Sequence, residues 1–175
     1  MRQNIHRRMK WAKVLSPFLP IFLITCGLFE EEHPFQGITR TEMDSLGNMI
    51  IIKEDPDDWR IMLRPEPDPN VPIDADIDPS FPNPTSGSTT MWLGIPESTY
   101  VHVWIIDRNR SVVKTIFDEG KSAGYWSAVW HLEDEHGRRV EPDTYRCKYQ
   151  WYLYRSVDSV LTLIEVFGYG DIRVE

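Results

Sequence analysis

The chain has 175 residues, room for one ordinary domain with extra segments, and its 13 Pro, ten Gly and seven each of Trp, Tyr and Phe work against a helical bundle and toward strands and turns. Five of its 19 Lys and Arg (Arg2, Arg7, Arg8, Lys10, Lys13) lie before residue 26 and none of its 27 acids does, so residues 26–175 carry 14 basic against 27 acidic side chains, a net charge of −13. A surface that acidic opposes nucleic acid as a partner, because that affinity comes from basic groups displacing condensed counterions.

In chain order, the first element is an address. Residues 1–13 carry the five positive charges and residues 14–25 (VLSPFLPIFLIT) are uncharged and mostly apolar, the pattern of a signal peptide. The apolar run is shorter than the roughly 20 residues a spanning helix needs, and Pro17 and Pro20 interrupt it. Leu23-Ile24-Thr25-Cys26 resembles the lipobox of bacterial lipoproteins, although Thr25 stands where a smaller residue is usual. The resemblance implies cleavage after residue 25, a diacylglycerol on Cys26 and a membrane as one partner. The absence of Asp after Cys26 resembles outer-membrane lipoproteins, and Glu30-Glu31-Glu32 resembles the surface-export signals of some Gram-negative ones. The only other cysteine, Cys147, then has no intramolecular partner, and its place in an alternating run reads as a buried, inert thiol.

Residues 26–78 read as a tether and acidic Pro-rich linker. Within it, 38–64 holds two apolar patches, Met49-Ile50-Ile51-Ile52 and Trp59-Arg60-Ile61-Met62-Leu63, separated by turn formers, which is consistent with a small hairpin or a pair of docking strands. Residues 65–84 are dominated by Pro and Asp and favour an extended connector. Asp74, Asp76 and Asp78 alternate like the opening of a calcium loop, but Pro79 and Thr85 stand where that loop needs its Gly and its bidentate Glu.

From residue 88 onward seven short runs are spaced as in an all-β antiparallel sandwich: 89–95, 100–107, 112–117, 125–132, 145–154, 159–167 and 171–174. Val101, Val103 and Ile105 alternate with His102 and Trp104, and Tyr145, Cys147, Tyr149, Trp151 and Leu153 alternate with Arg146, Lys148 and Gln150, so each strand has one apolar face. Pro82-Asn83-Pro84, Ser88-Thr89-Thr90, Val103-Trp104-Ile105-Ile106-Asp107, Val113-Lys114-Thr115, Ala123-Gly124, Trp130, Asp134-Glu135-His136-Gly137, Val140 and Thr144-Tyr145 together resemble the immunoglobulin-like domain named after the flagellar hook-capping protein FlgD. The resemblance covers about 79–175 and extends to the carboxyl-terminal sorting domains of type IX secretion. It implies an immunoglobulin-like β-sandwich with Trp130 at its core, a noncatalytic scaffolding role and a protein partner. His131-Leu132 replaces the usual Asp-Gly, Asp143 replaces a turn Gly, and residues 155–166 lengthen the last hairpin.

Catalytic patterns are poor. Gly120-Lys121-Ser122-Ala123-Gly124 matches the GxSxG elbow of serine hydrolases, but that elbow needs a helix after the Ser and YWSAVWHL alternates as a strand, so the glycines read as hairpin turn residues. His131 and His136 flank an acidic stretch, but two His at that spacing share a face only on a helix, and DEHG reads as a turn. No cofactor or metal site is expected. The aromatic residues Trp104, Tyr152 and Tyr154 fall on the faces opposite the cores of their strands and are the candidate binding surface, for a protein or for a sugar ring, unless the last hairpin or residues 38–64 cover them.

The sequence thus reads as a noncatalytic, lipid-anchored envelope protein, with a type IX sorting domain, a glycan-binding module and a serine hydrolase as the other readings. Metabolic labelling with a fatty-acid analogue should mark the wild type and not Cys26→Ala; a variant that stays labelled and membrane-bound would remove the lipobox assignment.

Overall fold

The computed structural model describes residues 34, 35, 37–64, 74–157 and 160–175 of the chain, and among them there are strands and turns but no helix. In chain order the strands are β1 (Arg40–Met43), β2 (Met49–Lys53), β3 (Met62–Arg64), β4 (Asp76–Phe81), β5 (Thr89–Ile95), β6 (Thr99–Ile106), β7 (Val112–Lys121), β8 (Gly124–Trp130), β9 (Thr144–Val157) and β10 (Val160–Arg173). One sheet has the order β4-β5-β8 and the other β3-β10-β9-β6-β7, with β1 and β2 as a separate hairpin. All named strands pair antiparallel, so the expected all-β antiparallel sandwich is what the chain builds.

Period two decides what enters the core. Val101, Val103 and Ile105 of β6 are buried, as are Tyr145, Cys147, Tyr149, Trp151 and Leu153 of β9; from the other sheet Met91, Leu93, Ala128 and Trp130 meet them. Trp130 stands edge-on to Tyr145, ring centroids 5.2 Å apart, and its indole N–H donates to the Glu133 carbonyl at 3.0 Å. Trp130, Val103, Ile105 and Tyr145 therefore share the core, as their alternation predicts.

Three expectations need correction. The runs at 159–167 and 171–174 are one strand, β10, which pairs with β9 without interruption from Val160 to Arg173, Gly168 and Gly170 included. Part of the extended connector, 76–81, is strand β4, with Ile77 and Ser80 buried. The connection from β7 to β8 is not a hairpin, since β7 pairs with β6 in one sheet and β8 with β5 in the other.

Asp44, Asp107 and Asp134 each open the same five-residue turn. In each, the carboxylate accepts two backbone N–H groups: those of Leu46 and Asn48, of Asn109 and Ser111, and of His136 and Arg138. The fourth residue is left-handed, Gly47 at φ 86° and Gly137 at φ 73°, whereas the middle turn places Arg110 there at φ 65°. Leu132, which replaces the Gly of the resembled family, is also left-handed, at φ 59°, and is completely buried.

Residues 34–64 are built onto the β10 edge of the sandwich. Strand β3 pairs with residues 165–167, the Trp59 N–H donates to the Tyr169 carbonyl at 2.7 Å, and the Asp58 carboxylate accepts the amides of Thr39 (2.8 Å) and Asp171 (3.0 Å). The Trp59 side chain joins the core over Gly170, where a Cβ would overlap its indole. On the outer face of the same sheet Arg146, 1% exposed, grips Asp171 with two bonds of 2.7 and 2.9 Å, and its guanidinium lies 4.3 Å from the Phe35 ring centre and 3.9 Å from that of Tyr169. Burial, then the Asp171 charge, pushes the Asp58 pKa up to about 7 despite its two amide donors, and burial also raises that of Asp171.

Two measurements follow from these placements. Arg110→Gly should stabilise the protein by about 1 kcal/mol by removing left-handed strain from an exposed residue, whereas Leu132→Gly should destabilise it by about 2 kcal/mol because the lost burial exceeds the strain relieved; chemical denaturation of both variants checks the opposite signs. Asp58 binds its proton more tightly folded than unfolded, so its contribution is full below about pH 4, the ordinary carboxylate range, and is lost as pH rises to about 7. Asp58→Asn should accordingly cost more stability at pH 5 than at pH 8, and an equal cost at both would remove Asp58 as the titrating group.

Candidate binding surface

The five-stranded sheet has one face in the core and one facing outward. Pro34, Phe35, Gly37 and the Asp55–Asp58 turn lie over its outer face around Arg146 and Asp171, and among the described residues no other segment lies over its far end around Tyr152 and Tyr154. Trp104, Tyr152 and Tyr154 all lie on this outer face. Trp104 is half-buried: its ring stacks on His102 with centroids 4.0 Å apart and 15° between planes, and the Lys148 ammonium stands 5.7 Å from its centre. Tyr152 and Tyr154 sit further along β9, with Tyr152 four residues from the Lys148 that faces Trp104, ~13 Å at strand spacing. Trp104 is therefore a separate feature from the tyrosine pair.

Around Tyr152 and Tyr154 the neighbouring strands add residues that period counting along single runs does not bring together. Leu163 of β10 is directly opposite Tyr154, Leu161 is opposite Ser156 on the same face, and Tyr100 projects from the near end of β6. Tyr100, Tyr154, Leu161 and Leu163 are 57%, 58%, 70% and 46% exposed, and Tyr152 is exposed with them. Five apolar or aromatic side chains from three adjacent strands thus form one open strip. Its backbone is held firmly: Thr99 Oγ1 donates to the Tyr152 carbonyl at 2.7 Å, and Glu97 accepts the Tyr154 N–H at 2.7 Å and pairs with Arg155 at 3.0 Å. Tyr100 donates to the Asp118 carbonyl at 2.8 Å, and partial desolvation, then the Asp118 charge, raises its phenol pKa. Such a strip offers packing area and tyrosine hydroxyls rather than reactive groups.

Ser122 is exposed in the crossing from β7 to β8 and is followed by a strand; its carbonyl accepts the Trp126 indole N–H at 2.9 Å. The elbow geometry that would activate it is not built there. Asp134, between His131 and His136, is spent on its own turn and on Arg138, which hold its carboxyl down to about 2, led by the backbone N–H bond from Arg138. No group of three His, Cys, Asp or Glu side chains among the described residues is placed to hold a metal ion. Cys147 is buried and its thiol pKa is pushed far up by that burial, so it is not a nucleophile at neutral pH. The segment 1–25 expected to be a signal peptide, and Cys26, lie outside the described residues.

No family model matches the chain, and no curated protein matches it. Among solved structures it is similar to FlgD from P. aeruginosa, at 23% identity over 55% of this chain and 69% of that one with a TM-score of 0.35. It is also similar to FlgD from Xanthomonas campestris, described in connection with the hook capping essential for flagellar assembly, at 17% identity over 63% of this chain and 70% of that one, again with a TM-score of 0.35. Both carry the name of the family that the ordered residues from Pro82 to Tyr145 resemble.

Proposed function

We propose that the chain is a noncatalytic module of the cell envelope, tethered through lipid on Cys26, that binds another envelope or extracellular protein through the strip formed by Tyr100, Tyr152, Tyr154, Leu161 and Leu163. The observation that carries this reading is the strip itself: it is contiguous, apolar, fixed on paired strands and left open at one end of a sheet whose other end is covered. Contiguous exposed apolar area on a folded domain marks contact with another macromolecule, and tyrosine, which supplies three of the five side chains, is enriched in protein-binding hot spots. A strip without a concave wall or a ring of fixed polar groups suits a protein surface better than a small molecule. The glycan reading leaned on Trp104, and the stacking of His102 on that ring takes up a face a sugar would need.

A photo-crosslinking amino acid at position 154 of the full chain, expressed in its own cells, should give a discrete protein adduct, and one at the exposed Tyr125 of β8 should not. Leu163→Asp should weaken the adduct by roughly tenfold or more, the loss expected when a hot-spot residue worth over 1.4 kcal/mol is removed. Adducts of equal yield from 154 and 125, or none from 154, would sink the proposal.

A further inference from the structure

Two long strands among the described residues have their outer edges capped or charged. The outer edge of β10 is capped by β3, Asp58 and Asn83. Strand β7 meets Glu135, whose backbone N–H donates to the Val113 carbonyl, and its far end carries the charges of Asp118, Glu119 and Lys121. Strand β8 keeps one face in the core. These are the ordinary ways in which proteins prevent unwanted strand pairing.

Among the described residues strand β2 has neither a capping segment nor a core face, and its one charge, Lys53, stands at its end. Its one strand neighbour is β1, and β1 is fixed from its other side, where the Thr41 N–H donates to the Asn83 carbonyl at 2.9 Å and Thr41 Oγ1 to the Ser80 carbonyl at 2.7 Å. The hairpin thus holds β2 outward with both of its faces uncovered: Ile50, Ile51 and Ile52 are 39%, 48% and 51% exposed. Residues 49–52 carry no charge, no Pro and no Gly. Three consecutive exposed isoleucines on a free edge are a template for another strand. A two-stranded hairpin is also marginal in water, so the added pairing stabilises the element that offers it.

We infer that β2 is a dimerisation edge, pairing antiparallel with β2 of a second copy of this chain about a two-fold axis at Ile51. Antiparallel pairing is what a two-fold axis through a strand generates, and the sequence suits it. With Ile51 on the axis, Ile51 meets Ile51, Ile50 meets Ile52, Lys53 meets Met49 and Glu54 meets Asn48. No like charges oppose one another, and Lys53 at the strand end keeps its ammonium in water. Moving the axis to Ile52 would set Lys53 against Ile51 and Glu54 against Ile50, which favours the first register. Because β1 is already engaged on its far side, the product is a closed four-stranded pairing, β1-β2-β2-β1, and not a filament.

The inference stands apart from the tyrosine strip and the lipid anchor, and cysteine cross-linking of the full chain tests it. Directly opposed residues of antiparallel strands lie about 4.5–5.5 Å apart at Cα, within disulfide range. Ile51→Cys should give a disulfide-linked dimer under mild oxidation that is absent from the wild type, which has the same Cys26 and Cys147. Leu46→Cys, 84% exposed at the hairpin tip, should not. Ile50→Cys mixed with Ile52→Cys should cross-link more than either alone, which reports the register. Ile51→Lys, at an exposed site, should keep the circular dichroism of the wild type and shift the detergent-solubilised chain from dimer to monomer in sedimentation. Equal cross-linking from positions 46 and 51, a wild type that sediments as a monomer throughout the micromolar range, or a dimer indifferent to Ile51→Lys would each overturn it.

Discussion

The outer edge of β10 is the constraint on which the rest of the structure depends. Its backbone groups from 165 to 173 are largely withdrawn from water and have to be satisfied by protein. Residues from outside the two long hairpin strands do this in sequence along the edge: β3 for 165–167, Trp59 for the Tyr169 carbonyl, Asp58 for the Asp171 amide, and Asn83 for the Asp171 carbonyl and the Arg173 amide. The residues that supply most of these bonds precede the sandwich in the chain. They are consequently part of its fold, and in reaching the edge they lay Phe35 and the Asp55–Asp58 turn over the outer face around Arg146. The open tyrosine strip is what that covering leaves.

Magnitudes separate the polar contacts that hold this arrangement from those that decorate it. Pairs such as Arg40 with Glu42, or Lys121 with Glu119, have at least one exposed partner, and such pairs contribute about 0–1 kcal/mol each. Arg146 with Asp171 is different, since both side chains are almost fully buried. Their mutual attraction mainly offsets desolvation, but removing one partner leaves an uncompensated buried charge at a cost of about 3–5 kcal/mol. The second carboxylate, Asp58, adds two amide bonds and an unfavourable negative charge to the same neighbourhood, which is why its proton is held so tightly. The covering segment is thus fixed by contacts that tolerate neither deletion nor full ionisation without loss.

What was legible in the sequence followed from period two. The apolar faces of β6 and β9 and the burial of Trp130 could be read because alternation needs no knowledge of which strands are neighbours. What required neighbours could not be read. Arg146 sits in the same alternation as Lys148 and Gln150, and nothing local distinguishes a buried guanidinium from an exposed ammonium; only the apolar patches within 38–64, consistent with docking strands, hinted that the tether packs against the sheet. Strand β4 was hidden because its Asp and Pro residues signal a connector, while the burial of Ile77 and Ser80 is a tertiary effect. The strip was half legible: Tyr152 and Tyr154 alternate visibly, but Tyr100, Leu161 and Leu163 join them only through register. Trp104 is on the expected face, yet His102, two residues earlier, occupies one side of its ring.

The two uncovered apolar features differ in what they can recognise. The strip presents side chains above an already paired backbone, so it can discriminate partners by shape and packing; β2 presents backbone groups, which accept any extended chain and leave selection to the isoleucines. An edge that admits many strands is a hazard unless one of them is always at hand. If the proposed lipid anchor holds copies of the chain on one membrane, that strand is the copy's own β2, whose local concentration then exceeds that of a diffusing peptide. Pairing through β2 would also place two strips on one assembly. If one strip binds its partner with a dissociation constant of ~10 μM and the second engages a repeated partner at an effective concentration of ~1 mM, the dimer binds ~100-fold more tightly without any new contact. An edge suited to self-pairing and a face suited to another protein thus reinforce each other, provided that the partner is itself repeated and its spacing matches.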